Sequence, residues 1–98
     1  MSTPPPPAVP PAGFGLDELT RQALRDLRRL DRPVRERVFA ALERLVAAVP
    51  TRDVRALTGS PGEFRLRVGD WRVRYELDLE AELLIVLRVL PRGRAYRD

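Results

Sequence analysis

Between Glu63 and Leu77 the chain alternates apolar and charged residues almost without a break. Phe64, Leu66 and Val68 interleave with Glu63, Arg65 and Arg67, and Trp71, Val73, Tyr75 and Leu77 interleave with Arg72, Arg74 and Glu76. A period of two sends successive side chains to opposite faces of a strand, so each run predicts a strand with one dry and one wet face. Gly69-Asp70 stands between the runs, and a two-residue turn there pairs Val68 with Trp71. That register sets Arg67 opposite Arg72 and Arg65 opposite Arg74, so four guanidinium groups share one face.

A lone hairpin is not stable in water and needs further elements over its dry face. The run Leu83–Leu90 is almost wholly apolar, as expected of an interior strand. Its one interruption, Arg88, falls near Arg72 if the loop covers residues 78–82. Upstream, Ala23, Leu24, Leu27 and Leu30 follow the i, i+3, i+4, i+7 spacing of an amphipathic helix that starts after Thr20 as N-cap and ends near Asp31. A second helix restarts at Asp31-Arg32-Pro33, buries Val34, Val38, Ala41, Leu42 and Leu45, and closes at Pro50. The segment FGLDEL before the helices reads as a short first strand. The expected fold is α+β: an N-terminal helical hairpin packed on a small, mainly antiparallel sheet of three to four strands, whose opposite face carries the arginines.

Residues 1–13 are rich in proline (Pro4 to Pro7, Pro10 and Pro11) and carry no charged side chain. They cannot form a helix interior, and the expectation is a disordered tail ahead of one domain over residues 14–98. A chain of 98 residues holds one core and no second domain.

The chain has no cysteine and no histidine. Disulfides, thiolate metal sites and Ser-His or Cys-His catalysis are therefore excluded. No apolar run approaches the roughly 20 residues that span a bilayer, and the N-terminus lacks a signal core, so the expected location is the cytoplasm, with no membrane partner. The 18 basic residues outnumber the 14 acidic ones, for a net charge of +4, and every basic residue is arginine. That usage fits a genome-wide codon bias as well as a functional demand. Either way, guanidinium grips phosphate oxygens in a bidentate fork and keeps its proton.

Like charges directly opposite on a sheet repel by up to about 1 kcal/mol per pair. Two readings of the arginine face stand side by side. One is a solvated face on which Glu63 and Glu76 soften the repulsion from diagonal positions; the other is a phosphate site. Arg92, Arg94, Tyr96 and Arg97 add three cations and an aromatic at the C-terminus, where a nucleobase can stack on the ring while arginines hold flanking phosphates.

The order helix, helix, three-stranded sheet, with Ala23-Leu24-Arg25-Asp26-Leu27-Arg28-Arg29-Leu30 ahead of the segment from Phe64 to Glu76, resembles the RelE/ParE toxin superfamily. The sequence FRLRVGDWRVRYE is similar to that family's Y-R-L-R-V-G-D-Y-R-V-x-Y-E pattern almost residue for residue. Leu87-Arg88-Val89, with Arg92 and Tyr96 four apart, resembles its V-L-x-V-x-x-R-x-x-x-Y ending. The resemblance spans residues 14–97.

It implies a toxin of a type II toxin–antitoxin pair and, for the RelE branch, an mRNA endoribonuclease (mRNA interferase) that acts on the ribosome and stops translation. No metal or other cofactor is implied. Carried over by position, Arg65 and Arg67 stand where RelE has two lysines, Arg72 and Arg92 match its phosphate-binding arginines, and Tyr96 matches its C-terminal tyrosine. These five are the implied catalytic residues, with Arg74, Arg88, Arg94 and Arg97 as further RNA-binding positions. The implied partners are mRNA on the ribosome and a cognate antitoxin that brings an acidic, partly disordered segment. Thr58 replaces a further basic residue of RelE, and Leu90-Pro91-Arg92 stands where many relatives read Gly-His-Arg. Two other functions fit the same residues: a ParE-like DNA gyrase inhibitor without catalysis, and an RNA-binding protein that does not cleave.

Overall fold

The computed structural model describes residues 8–93. Its elements run β1 (Gly15–Leu19), α1 (Arg21–Arg28), α2 (Arg32–Val46), β2 (Val54–Ala56), β3 (Glu63–Val68), β4 (Trp71–Asp78) and β5 (Leu83–Pro91). The strands form one mixed sheet in the order β1-β5-β4-β3-β2. β1 runs parallel to β5, and every other neighbouring pair is antiparallel. The sheet thus has five strands, not three to four. FGLDEL supplies β1 ahead of the helical hairpin, as its reading as a first strand expects, and β1 pairs across almost the whole chain with β5.

The β3–β4 hairpin has the register that the alternation predicts: Val68 faces Trp71, Arg67 faces Arg72, and Arg65 faces Arg74. Gly69 takes φ 59 in the turn, a conformation that glycine reaches without a Cβ clash. The β4–β5 register departs from the expected one. Tyr75 faces Val86, but Arg74 faces Arg88, which leaves Leu87 as one extra residue on β5. The slip keeps Arg88 on the arginine face beside Arg74, rather than near Arg72, and delivers Val89 to the core opposite Val73.

Helix α1 repairs the backbone that this bulge disturbs. The Thr20 hydroxyl donates to the carbonyl of Leu87 at 2.7 Å and accepts the N–H of Ala23, so the N-cap residue also serves the bulge. Asp26 takes the N–H of Val89 at 2.9 Å. The buried stripe of α1 therefore runs Ala23, Asp26, Leu27, with Leu30 just beyond, and Leu24, expected in that stripe, is 40% exposed.

The core lies between the helices and the sheet. Leu27, Val38, Leu42 and Leu45 meet Leu66, Val73, Leu84 and Val86, all nearly or fully buried. Burying each such side chain contributes roughly 1.5–3 kcal/mol. Phe64 and Tyr75 stack beside one another with ring centroids 5.6 Å apart.

The packed chain starts earlier than Phe14. Ala8 and Val9 pack against the core, Pro10 is fully buried, and the Tyr75 hydroxyl donates to the Ala8 carbonyl at 2.6 Å. This corrects the expected tail boundary: a Pro-rich segment without a ladder of its own still folds when its apolar rings cover a core and its carbonyls find a donor. Residues 1–7 lie outside the described residues, as do Arg94, Tyr96 and Arg97.

Candidate nucleic-acid interface

The two antiparallel registers around β3 and β4 extend the arginine pairs into a row. Arg55 on β2 faces Arg65 on β3, Arg65 faces Arg74 on β4, and Arg74 faces Arg88 on β5. Four cations abreast repel, and the fold neutralises one half of the row. Arg74 gives Nη2 to Glu63 at 2.6 Å, and Arg88 gives Nε and Nη2 to Asp26 at 2.9 and 3.3 Å. These two arginines line a hollow of their own with Thr20, Arg21, Gln22 and Leu87.

Beside the other half lies a basin rich in arginine. One hollow of about 360 Å³ is lined by Arg52, Arg55, Arg65, Arg67 and Arg72, with Asp53 as its single acid among the described residues. The adjoining hollow shares Arg67, Arg72 and Asp53 and adds Arg92, Gly69 and Asp70. The structure therefore brings together four of the five expected catalytic positions, Arg65, Arg67, Arg72 and Arg92. Arg74 and Arg88 do not join them, and Tyr96, Arg94 and Arg97 fall outside the described residues.

Arg72 is the anchor of this basin. It is only 7% exposed, and its Nη1 donates to the carbonyls of Gly69 and Trp71, both at 2.9 Å. The hairpin turn thus holds the guanidinium plane in place. Among the described residues, no carboxylate pairs with it. A buried cation ordinarily has a counter-ion, so a cation held only by neutral carbonyls favours an incoming anion. Arg92 follows β5, and its N–H donates to the Asp70 carbonyl at 2.9 Å, which ties the end of β5 to the turn beside Arg72.

Arg67 is paired differently. Nε and Nη2 both reach Oδ1 of Asp53, at 3.1 and 2.8 Å, and the two side chains keep 63% and 41% exposure. A pair this open to water contributes at most about 1 kcal/mol. Arg52, Asp53 and Arg55 escaped the sequence reading because β2 is three residues long, too short for periodicity. The available signal was Leu57-Thr58-Gly59-Ser60-Pro61-Gly62, a turn-rich stretch before Phe64 that implies a strand ahead of it.

The described residues thus form a small α+β domain with a parallel edge strand, two helices and an arginine basin. Residues 18–96 match the family model described as the ParE toxin of the type II toxin–antitoxin system, parDE, and the chain belongs to that family, within the RelE/ParE toxin superfamily. Among solved structures, the chain is similar to the toxin–antitoxin complex RelBE2 from Mycobacterium tuberculosis, at 28% identity over 84% of this chain and 94% of that one, with a TM-score of 0.61. It is similar to the archaeal RelE-RelB complex from Pyrococcus horikoshii at 26% identity over 83% and 97%, with a TM-score of 0.67. The isolated E. coli RelE toxin shares the fold, with a TM-score of 0.69 at 21% identity over 81% of this chain and 84% of that one. No curated protein matches in sequence. None of the helices in the described residues is long and apolar enough to cross a membrane.

Proposed function

We propose that the chain is a RelE-type toxin that cleaves mRNA on the ribosome and so blocks translation in the cytoplasm. The observation that carries this reading is the buried Arg72 guanidinium, fixed by two carbonyls and facing a basin of arginines with no carboxylate of its own among the described residues. A site built this way favours charge that develops on a phosphoryl group, because its donors are already oriented and need no reorganisation.

In the proposed reaction, the ribose 2′-oxygen attacks the adjacent phosphorus and the bond to the 5′-oxygen breaks, leaving a 2′,3′-cyclic phosphate and a 5′-hydroxyl. The 2′ proton must leave and the 5′-oxygen must gain one. Arg72 and Arg92 stabilise the crowded phosphorane, Arg65 and Arg67 hold flanking phosphates, and Tyr96 orients or deprotonates the 2′-hydroxyl. Arginine keeps its proton, so Arg65 and Arg67 act by charge rather than as acids, and proton transfer is the slow part of the cycle. No cofactor takes part. The catalytic unit is the domain over residues 14–98 together with the packed segment Ala8–Pro10 that covers its core. A cognate antitoxin with an acidic, partly disordered segment covers the basin when the toxin is silent; that solved relatives are antitoxin–toxin complexes supports this partner.

The match to a ParE family description favours a second reading, a toxin that binds DNA gyrase and performs no chemistry. Purified protein added to mRNA-programmed ribosomes, with primer extension to map cuts, separates the two when run beside a gyrase supercoiling assay. The proposed function expects cuts at the decoding-site codon and normal supercoiling. Intact mRNA with blocked supercoiling overturns it in favour of gyrase.

A further inference from the structure

Among the described residues, Asp53 is the single acid on the rim of the hollow that holds Arg52, Arg55, Arg65, Arg67 and Arg72, and it also lines the adjoining one with Arg92. We propose that its carboxylate is an exchangeable counter-ion that occupies Arg67 until a phosphate of single-stranded RNA displaces it, so that Asp53 sets how tightly the basin holds a strand. This rests on the nucleic-acid reading of the basin.

Among the described residues, three carboxylates pair with arginines of this face, and Asp53 is the one built to let go. Asp26 is buried and accepts from Arg88 twice and from the Val89 N–H once. Glu63 meets Arg74 at 2.6 Å, and both side chains are largely covered. Asp53 offers Arg67 a single oxygen, its Oδ2 has a long contact of 3.4 Å from the Thr51 hydroxyl, and both partners are open to water. A phosphate presents more oxygens to a guanidinium fork than this one-oxygen contact does. The backbone of Asp53 is secured without its carboxylate. Its carbonyl accepts the Arg67 N–H at 2.8 Å and its N–H donates to the Thr51 hydroxyl at 3.1 Å, so the strand pairing survives loss of the charge.

The test is the affinity of the full chain for a short single-stranded oligoribonucleotide across a salt series, for wild type, Asp53→Asn, Asp53→Glu, Arg67→Ala and the Asp53→Asn/Arg67→Ala double variant. Asp53→Asn is expected to bind about tenfold tighter at low salt. Its plot of log K against log salt steepens by about 0.7, the increment for one more phosphate neutralised on a single strand. Asp53→Glu restores the wild-type affinity and slope, and Asp53→Asn adds nothing once Arg67 is gone. Asp53→Ser, which keeps a short polar side chain beside Thr51, carries the same expectation and serves if Asp53→Asn does not fold. A folded, charge-removed variant with unchanged affinity and slope overturns the proposal, as does a gain that persists without Arg67. If wild type binds the strand and the gain is absent, only this inference falls. If neither wild type nor variant binds, the nucleic-acid reading falls with it.

Discussion

The Asp26 carboxylate on α1 grips Arg88 on β5 by Nε and Nη2, at 2.9 and 3.3 Å, and takes the Val89 N–H at 2.9 Å as well. One side chain thereby fastens helix to sheet, supplies a partner for an amide next to the bulge, and neutralises the end of a row of four arginines. Breaking a largely buried pair by removing one partner costs about 3–5 kcal/mol, because the other is left uncompensated. Asp26→Ala is expected to lose about that much in urea denaturation. Asp26→Leu combined with Arg88→Met should lose less than the sum of the single changes, and strict additivity in that cycle would sink the account.

Tyr75 gives the fold a pH limit. Burial pushes its phenol well above the ordinary value of 10.0, so the folded state keeps the proton when the unfolded chain has lost it. Stability is therefore complete below about pH 10 and falls as pH rises beyond it, by about 1.4 kcal/mol per pH unit while the folded phenol remains neutral. The sequence has no lysine and no cysteine, and its second tyrosine is Tyr96, so few other groups titrate in this window. Denaturant melts of wild type and Tyr75→Phe between pH 9 and 11 check this: the alkaline loss should largely vanish in the variant.

The N-terminal segment is expected to be part of the stability of the domain. Deleting residues 1–10 removes Pro10 from its buried seat and takes away the Ala8 carbonyl that accepts from Tyr75. The deletion should lower the melting temperature by several degrees, at least the roughly 1 kcal/mol of one hydrogen bond plus the uncovered apolar surface. A melt unchanged from the full chain would contradict this packing.

Ala48 ends α2 at φ 60, with the Val49 N–H on the Arg44 carbonyl at 3.1 Å and the Ala48 N–H on the Leu45 carbonyl at 3.0 Å. This is a Schellman closure with alanine where glycine is usual. Left-handed backbone costs an L-residue roughly 1–2 kcal/mol, partly offset by the entropy glycine loses on folding. Ala48→Gly should therefore stabilise the protein by about 0.5–1 kcal/mol in calorimetry.

The β3–β4 hairpin and its arginine pairs were legible in the sequence because a two-residue turn and a strict alternation leave one register that buries Phe64, Leu66, Val73 and Tyr75 together. The bulge at Leu87 was not, since an apolar run carries no mark of where one extra residue sits. Asp26 broke the helix pattern because a charge in a core slot makes sense only once Arg88 and Val89 are known to face it across the fold. Arg52, Asp53 and Arg55 were hidden by the shortness of β2, and the Ala8–Pro10 packing by a composition that, read locally, argues for disorder.

In the proposed function the basin around Arg72 acts on RNA and the neutralised half of the arginine row does not. The most direct measurement is the initial rate of mRNA cleavage on programmed ribosomes for wild type, Arg72→Ala and Arg21→Ala, the last being a residue of the other hollow. Removing a preoriented donor to developing charge costs about 10²–10³ in rate, so Arg72→Ala is expected to fall by that factor while Arg21→Ala stays close to wild type. Equal cleavage by wild type and Arg72→Ala, or no cleavage by wild type, would contradict the account.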